Sequence, residues 1–443
     1  MSNLSNYDLN HRVIQIFERS SNEYVDIREV KEISTSIKIK DDEIKLRNGE
    51  KEGVSIRILK NGSWGFASGR NLEELAKKAE KLAGIVKGNT RLPEIKPIKE
   101  RITAKKDDLS IEEKVKILLD AKKEMTQKEI TNRIVGLTEK FIIKKFYSSE
   151  GSEIIQEQAY SYLSVQAIGK NEQVQIAHQR KSSVEGFDKI NPYKVAQDAS
   201  KKLKRILNAS LPHKGKFTVV FDPEMTGVLS HEAVGHACEG DSIVKGESIL
   251  RGKVGERIGN EIVTIADDPT AKDFGFYFYD DDGVKGKRTT LIEEGILKNY
   301  LLSRGTAQKL GMEVNGHARA DGYDAFPIVR MSNTYFQPGK SSKEDVFDIK
   351  NGIYLVGMRG GSVDTVSGGF MFKAEEAFEI ENGEPGKALR DVTIIGNVLE
   401  VMKNVEVVGK DFATSPGICG KNGQEAPVSD GGPHIQVKGV SIG

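Results

Sequence analysis

Ser230-His231-Glu232-Ala233-Val234-Gly235-His236 places two histidines five residues apart, with a glutamate directly after the first. The segment follows Phe217-Thr218-Val219-Val220-Phe221, which reads as a strand, and then Asp222-Pro223, which reads as a helix start with Asp222 as N-cap and Pro223 at the first helical position. On an unbroken α-helix, residues four apart share a face, at ~40° from one another, whereas residues five apart diverge by ~140°. Two imidazoles at this spacing therefore cannot meet one ion on a regular helix. A π-type turn, with its i→i+5 bond, brings them together. Gly235, immediately before His236, eases such a distortion. The spacing predicts a π-bulge or a helix break near Val234-Gly235.

With that turn in place, His231 and His236 become candidate Zn²⁺ ligands through neutral imidazole nitrogens. Glu232, next to a ligand without being one, becomes the candidate general base for a metal-activated water attacking a peptide carbonyl. A catalytic zinc takes three protein ligands and keeps one open position. Candidates for the third are Cys238, Glu239 and Asp241 nearby, and His317, Cys419 and His434 further along. Spacing alone does not choose among them.

The 443 residues are too many for one ordinary core and call for two or three domains. An N-terminal α+β domain is expected over residues 1–86. Alternation at Ser34 to Ile39 and Val54 to Ile58 predicts strands, and Asn71 caps a predicted helix from Leu72 to Ala83. The polar stretch 87–108 reads as a linker. A central α+β segment, 109–212, opens on a helix with a capping box at Ser110 to Glu113 and closes on one from Pro192 to Leu207. Residues 213–443, rich in glycine and in short strands, predict a β-rich domain whose exception is the helix bearing the histidines. Asp280-Asp281-Asp282-Gly283 lacks the spaced ligands of a calcium loop and reads as a turn.

Composition excludes some functions. Lys plus Arg number 66 against 65 for Asp plus Glu, so no net charge draws the chain to nucleic acid. No apolar run approaches the ~20 residues a membrane span needs. The first residues lack the pattern of an export signal, so the reducing cytoplasm is the expected compartment and Cys238 and Cys419 are expected as free thiols. His11, His178 and His213 read as surface residues.

Together with Glu239-Gly240-Asp241, Asn315-Gly316-His317-Ala318-Arg319, Pro327 to Thr334, Gly368 to Phe372, Glu381-Asn382-Gly383 and Pro416 to Gln424, the histidine segment resembles the TldD branch of the TldD/PmbA family, also known as modulators of DNA gyrase. The resemblance covers essentially the whole chain. It implies an α+β fold with an N-terminal α/β layered scaffold and a barrel-like C-terminal metallopeptidase domain. It also implies that Cys419 is the third zinc ligand and that Cys238 is an idle buried residue. The substrates it implies are short or unfolded peptides, and the assembly a homodimer or a heterodimer with a PmbA-like subunit lacking the zinc motif. His317, Arg319, Arg330 and Asn333 are candidate substrate-binding residues. The alternative function is a non-catalytic scaffold or regulatory subunit of such a complex, against which the intact His231, Glu232, His236 and Cys419 speak.

Overall fold

The computed structural model describes Val13, residues 15–17, residues 22–171 and residues 173–443; His11 lies outside them. Strand residues outnumber helical ones, 45% to 21%. The first half is built on one seven-stranded sheet. Its strands are β1 (Tyr24–Lys40), β2 (Glu43–Lys60), β3 (Ser63–Gly69), β4 (Lys99–Ile102), β5 (Ile130–Ser148), β6 (Glu153–Lys170) and β7 (Val174–Ser183). They run in the order β3-β2-β1-β5-β6-β4, with β7 also on β6.

The β1–β5 pairing runs from Asp26 opposite Ser148 to Lys40 opposite Ile134. Residues 1–86 and 109–212, read from the sequence as separate units, therefore contribute to one sheet. The intervening 87–108 is more than a tether, because β4 inside it pairs in parallel with β6 from Lys99 to Ile102. Helices cover the sheet through their apolar faces. Leu72–Ala83 is capped by Asn71, whose side chain accepts from the Glu74 amide. Ile111–Lys123 carries the capping box at Ser110 and Glu113. Pro192–Leu207 buries Val195, Ala199, Leu203 and Ile206 against Leu163 and Val165 of β6.

The second half is β-rich. Five strands close a barrel: β8 (Gly215–Phe221), Asn351–Val363, Gly369–Glu381, Thr393–Asn397 and Ile435–Ile442. Val219, Phe221, Leu355, Phe372 and Ile435, all fully buried, are part of its core. A second, mixed sheet packs beside it and contains the hairpin Ala413–Lys421 with Gln424–Gly432.

The two halves are joined by charge buried at their junction. Arg57 binds Asp26 of its own sheet and reaches Asp282 at 2.8 Å. Arg28 lies 3.5 Å from Asp281, which also meets Lys144 at 3.2 Å. Asp280 to Gly283 is a turn, as its sequence suggests, but one that holds the domains together. Such pairs cost desolvation and pin one arrangement rather than adding much net stability. Among the described residues no helix is long and apolar enough to cross a membrane.

Candidate functional site

The site is assembled from one distorted helix and one distant hairpin. Asp222 caps the helix Pro223–Val228 by accepting from the Met225 amide, with Pro223 in the first turn. At Leu229 the winding changes, and Leu229–Gly235 is a π-helix, followed by a 3₁₀ turn at His236–Cys238. The histidine spacing predicts this transition. It brings the two rings to a centroid separation of 5.0 Å at an angle of 88°. Gly235 is required for a second reason: a Cβ there would sit 2.0 Å from Met331 Sδ.

Cys419 comes in on the strand Ala413–Lys421, with its sulfur 3.5 Å from His236 Nε2. Donor atoms of His231, His236 and Cys419 all lie within 4.8 Å of one another. Two imidazoles and a thiol at that separation suit a tetrahedral zinc with its fourth position open. The Glu232 carboxylate lies 4.0 Å from His236 Nε2 and keeps partial exposure, 28%. Cys238 is fully buried and burial pushes its thiol up, so it offers no thiolate. Asp241 is held by Lys421 at 2.7 Å, and His434 sits in a separate cluster with Asp411 and Tyr354.

Each histidine is braced from behind. His231 Nδ1 meets Asp430 Oδ1 at 2.6 Å, and His236 Nδ1 meets Glu239 Oε2 at 3.0 Å. Glu239 is anchored in turn by Lys421 Nζ at 3.0 Å. The Nδ1 of His236 is thus occupied by a hydrogen bond, while His231 Nδ1 meets the Asp430 carboxylate by close approach alone, without hydrogen-bond alignment. In both rings the carboxylate stands on the Nδ1 side, which favours Nε2 for an ion. Asp430 reaches His231 because its strand touches the helix at Gly227, where a Cβ would lie 2.4 Å from the Gly431 amide nitrogen.

The charges are mutually set. Burial disfavours charge on His231, yet Asp430 and the Cys419 sulfur hold its pKa well above the ordinary value. Burial opposes charge on His236 too, but Glu239 and Cys419 bring it to about 9. Burial would raise the Cys419 thiol; the two imidazoles outweigh it and lower the pKa to about 5. A low-pKa thiol beside two imidazoles is a donor set whose chemistry suits a metal ion.

The remaining candidates are dispersed. His317 is fully buried, with Nδ1 on Asn315 at 2.9 Å and Nε2 on Asp267 at 3.0 Å. Asn333 donates to the Asp268 and Ala271 carbonyls and accepts from the Gly275 amide. Neither has an unengaged side-chain polar atom for a substrate. Arg319 and Arg330 border a cavity near the Cys419 strand. His213 is exposed, whereas His178, expected at the surface, is half-buried against Ser164 at 2.8 Å, with burial lowering it to about 4. Asp430 is the site residue the sequence reading missed. Its only local sign is an acidic residue before Gly431-Gly432, small residues that permit close packing on a helix.

Comparison with known proteins places the chain in a family. Residues 214–443 match the PmbA/TldA metallopeptidase C-terminal domain, 25–83 match domain 1 and 104–207 match the central domain. A metalloprotease of Methanothermobacter thermautotrophicus is 41% identical over 95% of both chains. A protein of Saccharolobus solfataricus named zinc metalloprotease TldD homolog is 33% identical over 95% of this chain and 96% of its own. Among solved structures, TldE from Thermococcus kodakarensis superposes with a TM-score of 0.77 at 22% identity, covering 98% of this chain and 99% of that one. A Thermotoga maritima protein described as a candidate modulator of a DNA gyrase gives 0.84 at 20% identity, covering 99% and 100%. By domain content, by full-length identity and by fold, the chain belongs to the PmbA/TldD metallopeptidase family.

Proposed function

We propose that the chain is a zinc-dependent peptidase acting on short or unfolded peptides, with His231, His236 and Cys419 as metal ligands and Glu232 as general base. The observation that carries this reading is the convergence of three soft or borderline donors within 4.8 Å beside a partly exposed carboxylate. Zinc held there would acidify a water to a pKa of ~7 and polarise a peptide carbonyl. Glu232 takes the proton as that water attacks, then delivers it to the leaving amine nitrogen. Asp430 and Glu239 keep the imidazoles in the tautomer that presents Nε2. A peptide in extended form fits a buried site better than a folded chain does, which favours unstructured substrates. A dimer, with itself or with a PmbA-like subunit, would narrow access further.

The reading is tested by hydrolysis of an unstructured peptide. Cleavage is expected with one zinc per chain, lost on chelation and restored by zinc. A chain that binds zinc stoichiometrically and cleaves none of a peptide library would favour the scaffold role.

The bracing of His231 makes a separate prediction. Asp430→Ala is expected to lower zinc affinity by ~10–100-fold, read by competition with a chromophoric chelator. Asp430→Asn keeps an acceptor for Nδ1–H and should recover part of the loss. Equal affinity in all three proteins would remove Asp430 from the site.

A further inference from the structure

A cavity of about 340 Å³ lies between the long sheet of the first half and the C-terminal domain. Tyr160, Tyr162, Phe274 and Ile142 give it an apolar wall, and Ile418, the residue before Cys419, borders it from the other side. Arg319 and Arg330 also line it, and they are 8% and 1% exposed. Among the described residues, neither guanidinium has a carboxylate within 4.0 Å. Their partners are neutral. Arg319 donates to the Met331 and Pro427 carbonyls at 2.6 and 2.9 Å and lies over the Tyr277 ring. Arg330 donates to the Cys419 and Gln424 carbonyls, and its buried Nε finds no acceptor.

A guanidinium stays charged at any ordinary pH. Carbonyls and a ring face satisfy its geometry and part of its field, but burying the charge without a counter-ion remains costly. The cavity's own acids do not supply one. Glu32 is taken by Lys140 at 3.1 Å, and Asp281 by Lys144 and Arg28. Asp280 accepts from the amides of Asp282, Val284 and Ala318. Asp321 and Glu425 are exposed at the rim. Arg319 and Arg330 are thus two buried cations with neutral partners only, beside an aromatic wall that Ile418, the residue before Cys419, also borders.

We propose that this cavity is a substrate subsite for a peptide carboxylate flanked by apolar or aromatic residues, with Arg319 and Arg330 as its counter-charges. The proposal rests on the peptidase reading. Its ligand chemistry has two sources, a free C-terminus or an Asp or Glu side chain.

The test measures equilibrium binding of labelled unstructured peptides to the full-length, zinc-loaded Glu232→Gln protein, so that turnover does not intervene. Four peptides of one apolar sequence are compared: free C-terminus, amidated C-terminus, amidated with an internal Glu, and amidated with Gln in its place. At least one carboxylate-bearing peptide is expected to bind ~10-fold or more tightly than its neutral counterpart, and which one identifies the source. Arg319→Met is expected to shrink that preference to within ~2-fold at unchanged zinc content, while Arg319→Lys keeps most of it. Should Arg319→Met fail to fold, the peptide series and the lysine variant still decide. Equal binding of neutral and acidic peptides, or full preference in Arg319→Met, overturns the proposal. Carboxylate preference without cleavage by the wild-type chain would sink the peptidase reading and spare the subsite. Cleavage without preference would do the reverse.

Discussion

Glu232→Gln is expected to lower kcat on an unstructured peptide by ~10²–10⁴-fold while zinc content and melting temperature stay at wild-type values. The basis is geometric. Glu232 follows His231, the first proposed ligand, on the π-helix, and its carboxylate lies 4.0 Å from His236 Nε2. It is also partly exposed and committed to no lysine or imidazole brace, whereas Asp241 is held by Lys421 and Glu239 by His236 and Lys421. Glutamine has nearly the same volume and keeps a carbonyl oxygen near the water, but it cannot accept the proton. A drop of that size is ~3–5 kcal/mol of lost transition-state stabilisation, far above what a partly exposed, isosteric change costs in folding. The measurement is kcat and KM with zinc quantified in the same sample. Retained cleavage at full zinc would assign the proton transfer to another group.

The helix around Glu232 was legible in the sequence to an unusual depth. The i→i+5 histidine spacing called for a π-bulge or a helix break near Val234-Gly235 and Asp222-Pro223 for a helix start; the first of those alternatives is present, as a π-helix over Leu229–Gly235, and so is the start. Local chemistry of this kind is visible because it acts over a few residues. Pairing across the fold is different. Alternation marked Ser34 to Ile39 as a strand, but β1 is 17 residues long and β2 is 18; Glu43 to Glu52 is exposed on both faces, and beyond Ile44 and Leu46 it has no apolar residue to mark the strand. For the same reason, nothing local announced that β1 pairs with β5 and joins the first two segments in one sheet. The site divides along this line. Cys419 was reached through family resemblance, since 183 residues separate it from His236. Asp430 was not reached at all, because a lone carboxylate becomes a brace only when a glycine contact lays its strand on the helix.

Cys419→Ala is expected to remove stoichiometric zinc, with an affinity loss of at least ~100-fold, beyond what loss of a supporting carboxylate causes. Two imidazoles remain, held by Asp430 and Glu239, but a catalytic zinc with only two protein ligands is far weaker than one with three. The fold around the position should survive. Cys419 pairs with Ala426 through backbone alone, and Arg330 donates to its carbonyl, which alanine retains. The loss can therefore be read apart from catalysis. Zinc at 100 times its Kd should stabilise the wild-type chain by ~2.7 kcal/mol, a rise of several degrees in melting temperature; the variant should show little or no rise at the same concentration. Removing the sulfur takes away one of the influences that raise His231 and His236, while Asp430 and Glu239, the larger ones, stay in place. One zinc per chain at wild-type affinity in Cys419→Ala would mean that the third ligand lies elsewhere, and the site would have to be rebuilt around another donor.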